Sequence, residues 1–154
     1  IQLREKQKLR RIYQVREKQF RRYVAEAERR KGITGENLLQ ILEMRLDNVV
    51  FRLGFAASRL QARQFVNHGH VRVNGRVVGI PSYMVRPGDK LEIRPSSKKM
   101  APIEESIRAA ASGRTPAWLT ANYQELSSEV LSAPTRAEID TDIEEALIVE
   151  FYSR

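Results

Sequence analysis

Apolar residues recur along this chain first at helical spacing and then in alternation, and the change of period divides it. A broken stripe of Leu3, Leu9, Ile12 and Tyr13 is followed over 15–30 by Phe20, Tyr23, Val24 and Ala27, three and four residues apart. Gly32 and Gly35 mark a corner, and Thr34 is placed to cap a helix through Leu38, Leu39 and Leu42. A further helix gathers Leu46, Val49, Val50 and Leu53 on one face and ends before Gly54. Ser58 then caps a short helix whose apolar face is Ala62, Phe65 and Val66, while Arg59 and Arg63 share another face. Leu60 takes an outward position on it, where a charge would be easier to explain.

Gly69 suits the left-handed end of that helix, and beyond it the period becomes two. Val71 and Val73 point one way and Arg72 the other, and Asn74-Gly75 is the strongest short-range signal for a two-residue hairpin turn. The returning strand is expected over 76–80, until Pro81 interrupts it. Pro87-Gly88-Asp89 is a turn ahead of an alternating strand over 90–94, and 95–102 reads as an exposed loop. Residues 103–111 favour a helix, stopped by Gly113 and Pro116, and Trp118 with Leu119 makes an apolar anchor. Asp142 and Glu145 predict the cap of a last helix with the stripe Ile143, Leu147 and Phe151. That stripe must dock, and the unpaired helices are at the other terminus. The expected architecture is α+β: a mostly helical domain from both chain ends, 1–44 and 100–154, with an inserted module of helices plus a short antiparallel sheet over 45–99.

Charge sharpens this picture. The 154 residues carry a formal net charge of +8, and the pI near 10.1 points to polyanionic partners. Residues 1–31 hold twelve Lys/Arg against four Glu, and 45–99 hold eleven against three acids, whereas 100–154 hold four against ten. Two basic segments thus join an acidic one. No apolar stretch is long enough to span a bilayer and no cleavable leader is visible, so no membrane association is expected. Cysteine is absent, which removes disulfides and thiolate metal sites, and two histidines alone build no metal centre. No phosphate loop, dinucleotide-binding glycine pattern or nucleophile elbow occurs. Hence no catalytic residue, cofactor or metal is assigned.

The motifs Leu46-Asp47-Asn48-Val49-Val50, Arg52-Leu53-Gly54, Ala62-Arg63-Gln64, Val66-Asn67-His68-Gly69-His70, Val73-Asn74-Gly75 and Ile80-Pro81-Ser82-Tyr83 together resemble the family of bacterial small-subunit ribosomal protein four. Arg4-Glu5-Lys6-Gln7-Lys8 and Phe151-Tyr152-Ser153-Arg154 extend the likeness to both ends. The resemblance implies a small RNA-binding module, with Arg59, Arg63, His68, His70, Arg72 and Arg76 on its RNA-facing motif. It also implies that the basic N-terminal helices pack with the C-terminal part and grip the five-way junction in the 5′ domain of small-subunit ribosomal RNA. Members of the family bind early and organise that domain, neighbour another small-subunit ribosomal protein, reside in the cytoplasm within the ribosome, and in some bacteria bind and repress their own messenger RNA. Relatives carry a further N-terminal extension, in some with a zinc site; this sequence starts at Ile1 inside an apparent helix and is expected to be a truncated form.

Duplex RNA hides its base edges in a deep groove, so a junction is recognised through phosphates and ribose hydroxyls, for which arginine's planar fork is suited. The expected RNA contacts are Arg59, Arg63, Arg72 and Arg76 for positioning, and Lys6, Lys8, Arg10, Arg11, Arg21 and Arg22 for clamping. Arg4, Arg16, Lys18, Arg45, Asn67, His68, His70, Asn74 and Arg86 complete the set. Residues 119–134 are the candidate region for protein contact. The competing reading is a non-ribosomal RNA-binding module that targets an RNA-modifying enzyme.

Overall fold

The chain leaves a first unit after Glu43, builds a second over 44–133, and returns to the first at Pro134. The computed structural model describes residues 1–110, 113 and 115–153; Ala111, the expected end of one helix, and Arg154, in the C-terminal motif, lie outside them. In chain order the elements are α1 (Gln2–Tyr13), α2 (Glu17–Arg29), α3 (Thr34–Glu43), α4 (Leu46–Arg52), α5 (Arg59–Asn67), β1 (Val71–Val73), β2 (Arg76–Val77), β3 (Lys90–Ile93), α6 (Ala101–Ala110), β4 (Ser127–Glu129) and α7 (Glu145–Tyr152).

In the first unit α1, α2, α3 and α7 enclose Leu9, Tyr13, Phe20, Val24, Ala27, Leu38, Leu39 and Ile148. The buried Tyr13 hydroxyl donates to Glu43 Oε2 at 2.5 Å and lies 3.0 Å from Thr141 Oγ1, which satisfies a polar tip inside an apolar layer. Helix α3 meets α7 over Gly35, where an added Cβ would come 2.6 Å from Glu145 Cγ. The last helix starts at Glu145, two residues later than a cap at Asp142 would place it, because its cap comes from elsewhere. Glu5 of α1 accepts the Glu144 N–H at 2.9 Å, a carboxylate at a helix N-terminus supplied by another helix. Starting there, α7 buries Ile148, while Leu147 and Phe151 lie only half-buried.

In the second unit an antiparallel sheet of order β2-β1-β3-β4 shares one core with α4 and α5. Val73 pairs with both Arg76 and Leu91, and Leu91 with Ser128, so Val71, Val73, Leu91 and Ile93 line the buried side. Three expectations need correction here. The returning strand ends at Val77, because the chain is drawn to α4 by bonds from Leu46 N–H to Tyr83 C=O and Asp47 N–H to Pro81 C=O. The stretch 95–102 is no open loop: it holds a 3₁₀ turn (Pro95–Ser97), with Ser97 buried, and the start of α6. The unit boundary falls at Pro134 and not near residue 100, since β4 completes the sheet and Trp118, Leu119, Leu126 and Val130 fill the same core.

Candidate nucleic-acid interface

Helix α5 is fixed at both ends before any side chain reaches outward. Ser58 Oγ accepts the Gln61 N–H at 3.1 Å, and Gln61 Oε1 accepts the Ala57 N–H at 2.6 Å. At the other end Gly69, at φ 78, lets the Gly69 N–H reach Val66 C=O and the His70 N–H reach Phe65 C=O, which turns the chain into β1. The hairpin then closes through Asn74 and Gly75 at φ 51 and 83, a pair of left-handed residues suited to the twist of its strands. Asn74 does more than turn. Its Oδ1 accepts the Lys90 N–H at 2.9 Å and its Nδ2 donates to Asp89 Oδ1 at 3.0 Å, which ties the hairpin to the turn before β3.

The cations of this unit fall into three conditions. Arg76 and Arg86 are exposed, as are Asn67 and His68 at the corner, and Leu60 stands 64% exposed on α5. Arg59, Arg63 and Arg72 are half-buried. Arg59 donates to Asn48 Oδ1 at 2.9 Å with its guanidinium 4.6 Å from the Phe51 ring centre, a stacked arrangement that limits the rotamers it can take. Arg72 lies 3.5 Å from Glu92 across the strands. Arg45 differs from the rest. It is 4% exposed and grips Asp47 through two bonds of 3.1 and 3.0 Å, so its fork belongs to the interior rather than to a ligand.

His70 joins the corner to the 3₁₀ turn, with Nδ1 2.7 Å from the buried Ser97 Oγ. Burial, and then the charges of Arg94 and His68, push its pKa below the ordinary imidazole value. The shift favours its neutral form, in which it serves as a strut of the corner.

In the first unit Arg4, Lys8, Arg11, Arg16, Lys18, Arg21 and Arg22 are exposed along α1, α2 and the turn between them. Lys6 is 6% exposed, lies 2.6 Å from Glu17, and sits 4.9 and 5.1 Å from the ring centres of Phe151 and Tyr152. Glu17 also takes Arg21 at 3.2 Å and Arg10 at 3.4 Å. Burial opposes its charge, but the hydrogen bond from Lys6 and the positive charges around it outweigh burial and hold the carboxyl below the usual range. Farther along α2, hydrogen bonds from Arg29 and Arg30 hold Glu26 at about 2. Of the expected contacts, then, Lys6 and Arg45 face inward, and Arg10 is partly committed to Val15 C=O and Gln7.

The acids and polar groups that position these cations were not singled out from sequence. The Glu17–Arg21 spacing is readable as a helical i,i+4 pair. Lys6–Glu17, Arg59–Asn48 and His70–Ser97 join residues 11 to 27 positions apart, and no local spacing announces them.

Residues 44–91 match the S4 domain model, and residues 1–43 match the model of the ribosomal protein S4/S9 N-terminal domain. Small ribosomal subunit protein uS4 of Natranaerobius thermophilus is 56% identical over 154 residues, which is 100% of this chain and 74% of that protein. The uS4A protein of Symbiobacterium thermophilum is 59% identical with the same coverage, and uS4 of Chromobacterium violaceum is 54% identical over 75% of its length. The chain belongs to the uS4 family. Membership of uS4 places it in a structural, non-enzymatic class of ribosomal proteins, and its S4 domain holds the α5 corner and hairpin described above. Among the described residues no helix is long and apolar enough to cross a membrane, and no group of three His, Asp or Glu side chains is arranged to hold a metal.

Proposed function

We propose that this uS4-family chain is a structural constituent of the small ribosomal subunit that binds the five-way junction in the 5′ domain of its ribosomal RNA and helps to nucleate folding of that domain. The observation that carries this reading is the division of labour among its cations: Arg59, Arg72 and Arg21 are held by Asn48, Glu92 and Glu17, while Lys8, Arg11, Lys18, Arg22 and Arg76 stand exposed on the same elements. Within each unit, the cations held by such partners meet phosphates with little loss of side-chain freedom on binding. Arg59, Arg63, Arg72 and Arg76 position the RNA, and Lys8, Arg11, Lys18, Arg21 and Arg22 clamp it. Neighbouring small-subunit proteins are its further partners. The test is a salt-varied titration of the 154-residue chain against an isolated five-way-junction RNA and a duplex of equal length. Tighter binding to the junction is expected; equal affinity for both would mean that charge alone supplies the binding.

A further inference from the structure

The first unit holds an open groove whose interior, behind Arg21, takes no part in the phosphate clamp. It lies between α2 and α7, has a volume of about 440 Å³, and is lined by Lys6, Glu17, Arg21, Val24, Phe151 and Tyr152 among others. That volume is within the range of sites that take small organic ligands, roughly 300–1,000 Å³. Its walls are aromatic: Phe151 and Tyr152 are both half-buried, with ring centres 5.4 Å apart and planes at 81°. Its interior is poorly suited to a phosphate. The one deep cation, Lys6, is already neutralised by Glu17 at 2.6 Å and lies over both rings. A flat, uncharged aromatic guest would cover ring surface, and the carboxylate of Glu28 lines the same groove as an acceptor for N–H groups at its edge.

The rim points to where such a guest comes from. Arg21 lines the groove with its side chain 70% exposed, and the exposed Lys18 and Arg22 lie beside it on the same helix. An RNA strand following these cations would carry bases past the opening. We propose that the groove receives one unpaired nucleobase of the bound RNA, stacked on Phe151, with Arg21 at the adjoining phosphate. This inference rests on the RNA-binding reading above. A paired base cannot enter, because its faces are covered within the duplex, so the groove selects junction or bulge nucleotides over helix.

Phe151→Trp tests this in the full chain, since Trp118, the only natural tryptophan, is 1% exposed in the core of the other unit and gives a steady background. Junction RNA is expected to quench the new indole emission, and a fully paired duplex is expected not to quench it. Phe151→Leu keeps apolar bulk but loses the stacking face, and is expected to bind junction RNA about tenfold more weakly. Unchanged emission at saturating junction RNA, or equal quenching by the duplex, overturns the inference even if Phe151→Leu folds poorly. If Lys18→Ala and Arg22→Ala weaken binding while emission stays constant, RNA lies on α2 with the groove empty, and the functional reading stands without this site. If the unaltered chain shows no preference for the junction, both readings fail together.

Discussion

At the scale of single residues, Arg45 and His70 show how a conspicuous basic side chain can serve the fold. Arg45 and Asp47 form a bidentate pair whose side chains are 5% and 3% exposed. Removing one member leaves a buried charge without its counter-ion, so Arg45→Met is expected to cost about 3–5 kcal/mol in denaturant unfolding. Arg45→Met combined with Asp47→Leu should recover most of that loss and bind RNA with an unchanged salt dependence. A lower salt slope in the double variant would return Arg45 to the interface. His70 makes a prediction in pH. Its folded pKa lies below the ordinary value of 6.5, so between the two values the unfolded chain holds more protons than the folded one. Stability is therefore full above pH 6.5 and falls as the pH drops through the lowered folded value. Subtracting the unfolding free energies of His70→Gln from those of the unaltered chain should isolate a component with this sign; a flat difference across pH 5–7 would contradict the burial argument.

Individual elements show why some of the architecture could be read from sequence and some could not. Signals that act within a few residues were legible: the Ser58 cap, the left-handed Gly69, the Asn74-Gly75 turn and the buried faces of α2, α4 and α5 all follow from local geometry. Gly75 isolates one such signal. Its φ is 83 and nothing lies within 4 Å of where a Cβ would stand, so Gly75→Ala meets no clash and loses only the backbone conformation. The expected cost is about 1 kcal/mol, read as a lower unfolding midpoint with an unchanged denaturant slope. A cost near zero would mean that the hairpin shifts to another turn. Signals that depend on distant partners were illegible. The start of α7 is set by Glu5, 139 residues away from Glu144, and the fate of 95–102 by the bond between His70 and Ser97. The shortened β2 likewise reflects the pull of α4 on residues 81 and 83.

Across the whole molecule, blocks of charge along the sequence are not blocks in space. The acidic last third divides at Pro134: Glu104, Glu105, Glu125 and Glu129 go to the inserted unit, and Glu138, Asp140, Asp142, Glu144, Glu145 and Glu150 join the basic N-terminal helices. By sequence the inserted unit then carries a net charge of +6 and the terminal unit only +2. Net charge alone would make the inserted unit the dominant RNA binder. Counterion release argues otherwise, because the salt dependence counts the cations that touch phosphate and not the net charge behind them. Glu145 is spent on Arg136 at 2.9 Å and Glu150 accepts from Gln2 at 3.0 Å, so these acids are engaged with structure while Lys18 and Arg22 stay exposed. Alanine substitutions at Lys18, Arg22, Arg76 and Arg86 should therefore each lower the slope of log affinity against log salt by about one unit, at similar size in both units. Lys6→Met, though it removes the same formal charge, should leave that slope unchanged because its ammonium is already committed to Glu17. Slopes that fell only for Arg76 and Arg86 would confine the RNA to the inserted unit, and with it would fall the assignment of α1 and α2 as a clamp.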